Sequence, residues 1–260
     1  GLEGGVTVGI ENVGLSMIMI SVVIIPVLDM LRDKKKKDKT NREGDRIIKI
    51  ILGIILVLIV CHDLIIFYIC YELILVPLII LVIKNKNYNE NLKWEIKKDE
   101  ATYSMWIYTL VSTIIMIPII VDIYKKEGSL DSEILINNLN EKKFYIVIFL
   151  LFMVKIPMWP LHSWLPLAHV EATTKGSIIL AGIVIKLGMY GIYKYHYGIY
   201  GINKYSKVII SLGVISIIYS NLIVLSLIDI KKIIAYSSII HMNLGILFIY
   251  LKGSNGVISA

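Results

Sequence analysis

The sequence predicts an all-α protein: a polytopic bundle of transmembrane helices. Hydrophobic residues make up 57% of the 260 residues, and the mean hydropathy is +0.74. Apolar runs near the length of about 20 residues that crosses a bilayer as a helix recur along the chain. Runs such as residues 47–60 do not alternate in hydrophobicity as the strands of a membrane barrel must. Together these patterns favour membrane helices over a soluble domain or a barrel.

The apolar runs delimit about eight predicted spans. They cover residues 10–31, 46–62, 64–83, 101–124, 142–161, 176–195, 207–228 and 233–251. Only Cys61, His62 and Asp63 interrupt the apolar stretch between the second and third spans, which predicts a tight turn there. The alternative is one long helix, whose length at 1.5 Å per residue would far exceed the thickness of the hydrocarbon core.

The net charge of +7 comes largely from lysines that lie between the apolar spans. The segment 32–45 carries seven Lys and Arg residues, which predicts that this loop faces the cytoplasm or the mitochondrial matrix. Membrane topology therefore explains the basic charge, and we do not expect the chain to bind nucleic acid. The two cysteines, Cys61 and Cys70, lie in apolar runs without metal-ligand spacing, so we expect buried thiols and no metal site.

Four titratable residues lie near the middle of four different spans: Glu72, Lys155, Lys186 and His241. An Asp, Lys or Arg at the centre of a membrane helix costs roughly 2.5–3.5 kcal/mol on insertion scales, so such residues usually face a bundle interior and serve a function. The alternatives are lysines that reach to the membrane surface, a static ion pair at Glu72, and a histidine hydrogen-bonded to a neighbouring helix.

A row of acid, base, base and imidazole at similar depth is able to pass protons. Burial disfavours the charged form of a lysine, and a nearby carboxylate favours it. A carboxylate that approaches or leaves a buried lysine therefore makes that lysine bind or release a proton, and such groups titrate as a coupled set.

Prolines follow two of these residues closely. Pro157 and Pro160 come within two turns of Lys155, and Pro77 follows Glu72. Proline removes a helical hydrogen bond, so we expect the helices to break at these points. Broken helices at membrane depth are found where backbone lines a cavity or an ion site. The connection that follows the first break carries three further polar residues, His162, His169 and Glu171.

Several stretches resemble one known family. Residues 154–191, VKIPMWPLHSWLPLAHVEATTKGSIILAGIVIKLGMYG, resemble the signature of the antiporter-like membrane subunits of respiratory complex I, and most of all the NADH dehydrogenase subunit 4 family. Residues 61–77, CHDLIIFYICYELILVP, resemble the glutamate-bearing helix of that family. Residues 227–248 resemble a later helix with a Ser-x-x-His-Met pattern, and residues 9–27 resemble the third helix.

The resemblance implies an antiporter-like fold built from two inverted five-helix repeats. Residues 1–260 would form a single transmembrane domain, with a leading helix at 10–31, the first repeat at 46–195 and the start of the second repeat at 207–260. Helices of the family that precede and follow these have no counterpart in the chain. We therefore expect an incomplete or split subunit, with a partner chain that supplies the missing helices.

The resemblance also implies a function: proton translocation in NADH:ubiquinone oxidoreductase. Glu72, Lys155 and Lys186 match residues implicated in proton translocation, and His241 matches a histidine between two half-channels. Thr173 stands where the family has proline, so the start of the next helix departs from the family pattern.

The implied setting is the mitochondrial inner membrane, with the bacterial plasma membrane as the alternative. Other membrane-arm subunits and phospholipids would be the partners. This chain would hold no cofactor, because the flavin and iron–sulfur clusters would belong to partner subunits. The rival interpretations are a subunit of a multisubunit cation/proton antiporter or of a membrane-bound hydrogenase, and a structural membrane-arm subunit that conducts no protons.

Overall fold

A computed structural model describes residues 12–30, 39–83, 92–131, 142–196 and 203–252. All regular elements within these ranges are helices, which confirms the all-α prediction. In chain order they are α1 (Asn12–Met30), α2 (Lys39–Val60), α3 (Leu64–Leu73), α4 (Leu75–Ile83), α5 (Leu92–Glu127), α6 (Lys142–Lys155), α7 (Trp164–Glu171), α8 (Thr174–Ile179), a π-helical segment (Leu180–Val184), α9 (Ile185–His196), α10 (Asn203–Ser226) and α11 (Ile230–Lys252).

Five helical segments are long and apolar enough to cross a membrane. They are Leu64–Ile83, Asp99–Glu127, Thr174–Tyr195, Ser206–Ser226 and Ile230–Leu251. These segments correspond to the third, fourth, sixth, seventh and eighth predicted spans. The first predicted span contains a shorter apolar helix, Val13–Leu28, while the second and fifth are also helical, as α2 and α6. The chain is thus a helical membrane protein.

The predicted turn between the second and third spans is confirmed. Helix α2 ends at Val60 and α3 begins at Leu64, so the alternative of one continuous helix is wrong. The backbone N–H of Leu64 donates to the carbonyl of Leu130 at 3.0 Å, and Asp63 pairs with Asp131 as an isolated β-bridge. The segment after α5 therefore holds the start of α3 in place.

The proline-induced breaks are also present. Helices α3 and α4 are separated at Ile74, because Pro77 has no N–H for the carbonyl of Leu73. Helix α6 ends at Lys155, and residues 156–163 form turns. Pro157 likewise lacks an N–H, and the next amide, that of Met158, reaches the carbonyl of Met153 at 3.5 Å.

Helices α6 and α9 approach each other closely where α9 has glycines. A Cβ atom added to Gly188 would lie 2.5 Å from the side chain of Ile156, and one added to Gly191 would collide with the ring of Phe152. Small residues allow helix backbones to approach in a membrane, where packing replaces the hydrophobic effect as the source of association. The helix that carries Lys155 is thereby fixed against the helix that carries Lys186.

Two predictions stay open in this structure. The lysine-rich segment 32–38 lies outside the described residues, so the side of the membrane that it faces remains a prediction. The division into a leading helix, a first repeat and the start of a second repeat is likewise untested.

Helices α10 and α11 pack against each other, and α11 also packs against α7.

Candidate functional site

Lys155 is buried at the point where α3 breaks. Its side chain is 3% exposed, and its ammonium donates a hydrogen bond to the backbone carbonyl of Tyr71. The same Nζ atom lies 3.3 Å from the centroid of the Tyr71 ring. This carbonyl belongs to the last turn of α3, where helix carbonyls lack partners and the helix dipole favours a cation. The break at Ile74 thus leaves a backbone carbonyl free to bind the ammonium group.

Glu72 follows Tyr71 directly and is half-buried. Its charge interacts electrostatically with that of Lys155, but no ion pair joins the two residues in the described part of the chain. The Ser112 hydroxyl is 3.5 Å from Glu72 Oε1, but it also donates to the carbonyl of Thr109 at 2.7 Å. Because one hydroxyl has one proton, the shorter bond takes it, and the contact with Glu72 is weak. Glu72 therefore follows the residue that binds the Lys155 ammonium, and a direct pairing of the two charges stays a prediction.

Lys186 lies on α9, two residues after the π-helical segment. Its side chain is half-buried, and no hydrogen bond or ion pair joins it to any other residue in the described part of the chain. π-Helical turns occur frequently at functional sites, because they change which side chains face a cavity. Lys186 is thus placed on the helix that packs against α6, without a direct link to Lys155 or Glu72.

His241, like Lys186, has no direct contact with Lys155 or Glu72 in the described part of the chain. It is exposed on α11, whereas Asn243, two residues further on, is fully buried. Residues two apart lie on nearly opposite sides of a helix. Asn243 Nδ2 lies 3.4 Å from the carbonyl of Pro157 and donates to the carbonyl of Ile239 at 2.8 Å. The inward-facing polar group of α11 is therefore Asn243, and a role for His241 in a proton path stays a prediction.

Residues of α10 and α11 hold the unwound backbone after Lys155. The amide of Trp159, which precedes Pro160, donates to the hydroxyl of Ser216 at 2.6 Å. The indole N–H of Trp164 donates to the carbonyl of Val154 at 2.9 Å. Backbone groups at membrane depth need partners within the protein, because lipid offers none. Ser216 and Asn243 supply them, and the only signal for either in the sequence is a polar residue within an apolar span.

The three polar residues of the connection are all buried: His162, His169 and Glu171 are 7%, 2% and 3% exposed. The His162 ring packs edge-on against Tyr219 at a centroid distance of 5.2 Å. Burial lowers the pKa of His169 to about 4, and the charge of Lys231 contributes to the same shift. His169 is therefore neutral near neutral pH and acts there as a polar group without charge.

Lys231 anchors the end of this connection to α11. Its ammonium donates to the carbonyls of Val170 at 3.1 Å and Ala172 at 3.2 Å. These carbonyls lie at the C-terminus of α7, where a cation is favourable. Lys231, in the first turn of α11, thus has a structural role that the sequence did not reveal.

Thr173, which stands at a position where proline is expected, begins α8. It is the N-cap residue, with φ −61° and ψ 157°, and its hydroxyl accepts a hydrogen bond from the Gly176 amide at 3.1 Å. A threonine at this position satisfies one of the free amides of the first helical turn. The departure from the family pattern therefore leaves a well-defined helix start.

We expect Thr173→Val to destabilise the start of α8 by about 1 kcal/mol, because it removes the cap. Thr173→Pro should be better tolerated, since the φ of −61° is that of proline and Ala172 is extended, as a residue before proline prefers. The measurement is the midpoint of thermal unfolding of each variant after purification in detergent. A lower midpoint for the proline variant than for the valine variant would contradict this account of the helix start.

Comparisons with known proteins agree with this architecture. The profile of the family described as NADH:quinone oxidoreductase/Mrp antiporter, TM, matches residues 61–260. NADH-ubiquinone oxidoreductase chain 4 of Wickerhamomyces canadensis is 35% identical to the chain, and the match covers 96% of the chain and 53% of that protein. The protein of the same name from Marchantia polymorpha is 33% identical, and the match covers 96% of this chain and 51% of that protein. The chain spans about half the length of the curated relatives it matches.

Two solved structures share the fold. One is a chain of respiratory complex I from Thermus thermophilus with bound NADH, which matches with a TM-score of 0.77 and 20% identity over 95% of this chain and 51% of that one. The other belongs to a membrane-bound sulfane sulfur reductase, an archaeal respiratory membrane complex. It matches with a TM-score of 0.76 and 22% identity, and the match covers 98% of this chain and 45% of that one. The family profile covers both broken helices and the residues Glu72, Lys155 and Lys186. The chain belongs to the NADH:quinone oxidoreductase/Mrp antiporter transmembrane family.

Proposed function

We propose that the chain is a proton-translocating membrane-arm subunit of NADH:ubiquinone oxidoreductase, in which Lys155 is the group that binds and releases the proton. One observation carries this proposal: a buried lysine donates to the Tyr71 carbonyl at the break of a membrane helix, and Glu72 is the next residue of that helix. An ionisable residue within a membrane span is by default a functional group. The family match and the names of the curated relatives support the choice of complex.

The proton step follows from two contacts of the ammonium group and from its electrostatic interaction with Glu72. The Tyr71 carbonyl, the Tyr71 ring and the charge of Glu72 all favour the protonated lysine. When the Glu72 carboxylate moves away or is neutralised, the ammonium loses its counter-charge, and a proton leaves Nζ for water or for the next group of the row. Return of the carboxylate favours uptake of a new proton. In this proposal Lys186 and His241 continue the path.

Partner subunits supply the energy and the redox chemistry. Quinone reduction elsewhere in the complex would drive the displacement of charge at Glu72, and the flavin and iron–sulfur clusters would reside in those subunits. The broken helices suit this task, because unwound backbone is able to shift without disrupting a continuous helix. The names of the curated relatives support the mitochondrial inner membrane as the proposed location. Phospholipids and other membrane-arm subunits would surround the chain there.

A second candidate is a subunit of a cation/proton antiporter or of a related respiratory complex. The family description includes Mrp antiporters, and the archaeal sulfane sulfur reductase matches the fold about as well as the Thermus complex does. The proton site itself would serve either assembly. The names of the curated relatives favour complex I.

The test is the composition of the native assembly. The tagged chain is purified from its own membranes in mild detergent, and its partners are identified by mass spectrometry against an untagged control. We expect subunits that bind flavin and iron–sulfur clusters, with NADH:quinone activity in the purified fraction. Recovery of antiporter subunits alone, without redox partners, would overturn the assignment to complex I.

A further inference from the structure

Three side chains of α9 bind carbonyls at the end of α2 and in the turn that follows it. The hydroxyl of Tyr190 donates to the carbonyl of Ile59 at 3.0 Å, and the ammonium of Lys194 donates to the carbonyl of Cys61. The hydroxyl of Tyr195 lies 3.3 Å from the carbonyl of His62, to which it donates. Tyr190, Lys194 and Tyr195 are 1%, 2% and 3% exposed. We refer to these three side chains as the carbonyl clasp.

The carbonyl clasp supplies hydrogen-bond donors to carbonyls that would otherwise be unpaired at the end of α2. Helix α2 ends at Val60, so the carbonyls around that residue have no partners within the helix. Lipid supplies no donors, and the helix dipole favours a cation at this end. Lys194 meets both requirements at the C-terminus of α2, as Lys155 does at the C-terminus of α3.

Aromatic contacts connect the clasp to the site of Lys155. Phe67 on α3 lies 5.0 Å from the ring of Tyr195 and 6.2 Å from that of Tyr190, measured between centroids. Phe67 also stacks on Tyr71 at 5.8 Å. Tyr71 in turn supplies the carbonyl and the ring that hold the ammonium of Lys155. A continuous set of contacts thus runs from the α2–α3 turn along α3 to the site.

We propose that Lys194 is a positioning residue for proton transfer at Lys155. With the two tyrosines it fixes the start of α3, and so the depth at which Tyr71 and Glu72 meet the Lys155 ammonium. In this role Lys194 acts through its charge and its bond to the Cys61 carbonyl. This inference rests on the proposed function of Lys155 and Glu72.

The test compares Lys194→Met and Lys194→Arg in the intact complex, with Lys155→Ala and Lys155→Arg in parallel. Methionine removes the charge and the donor, and since a misplacement of about 1 Å is able to cost on the order of 10²-fold in rate, we expect pumping by the assembled complex to fall about tenfold or more. Arginine keeps both a charge and donors, so Lys194→Arg should pump normally, whereas Lys155→Arg should not. Proton uptake into inverted vesicles is measured per electron pair and normalised to assembled complex.

Lys49→Met, at an exposed position of α2, is the matched control and should pump normally. Full pumping by Lys194→Met would overturn the positioning role, and loss of pumping in Lys194→Arg would show that Lys194 itself carries the proton. If Lys194→Met does not assemble, Tyr195→Phe is measured in its place: reduced pumping by its assembled complex supports the clasp, and full pumping overturns it. Full pumping by Lys155→Ala would instead overturn the proposed function itself.

Discussion

Replacing Lys155 with alanine is expected to abolish proton pumping while the complex remains assembled. The substitution removes the ammonium that donates to the Tyr71 carbonyl at the break of α3. In the described part of the chain, no other side chain donates to this carbonyl. A positioned proton donor or acceptor contributes on the order of 10²–10⁴-fold to a rate, so the pumping rate should fall at least about 10²-fold. The measurement is proton uptake into inverted vesicles per electron pair, with the amount of assembled complex determined separately on native gels.

Lys155→Arg should also fail, because arginine keeps its proton at any physiological pH. This variant separates proton release from the presence of a positive charge, since it retains the charge. Lys207→Ala, at an exposed position of α10, is the control for loss of a lysine and should pump normally. Full pumping by Lys155→Ala would mean that Lys155 is a structural charge and that the proposed mechanism is wrong.

The sites of the helix breaks could be predicted in part from the sequence. Pro77 and Pro157 each lack the N–H that a helix needs. Helices α1 and α5 nevertheless continue through Pro26 and Pro118, so the packing around a proline also decides whether a helix breaks. The turn at Cys61–Asp63 followed from the thickness of a bilayer and from one polar interruption. Likewise, the burial of Lys155 followed from the cost of placing a lysine in lipid.

The orientation of each helix about its axis could not be predicted in the same way. Apolar residues surround α11 on all sides, so its sequence does not show which face packs against protein. The choice between His241 and Asn243 as the inward group is made by tertiary packing, and so is the π-helical segment before Lys186. The roles of Lys194 and Ser216 could not be predicted from the sequence for a related reason. Each side chain binds a backbone group of a residue that is distant in the sequence.

Gly191→Ala is expected to disrupt assembly of the chain, although alanine is the better helix former. The added methyl group would collide with the ring of Phe152, which is 1% exposed. That ring has no room to move, since it packs edge-on against Phe67 at 6.1 Å and Tyr71 at 5.4 Å. Overpacking of this kind costs about 1–3 kcal/mol. The measurement is the amount of chain recovered in the assembled complex and its release temperature.

Gly53→Ala on α2 is the matched control, because a methyl group there meets no atom within 4 Å. It should stabilise the helix by up to about 1 kcal/mol, since alanine loses less backbone entropy than glycine. Adding Phe152→Leu to Gly191→Ala should restore part of the assembly, because the two residues share one contact and their effects are not additive. If Gly191→Ala assembles as well as Gly53→Ala, α6 and α9 do not approach as closely as described, and Tyr71 would be free to shift away from Lys155.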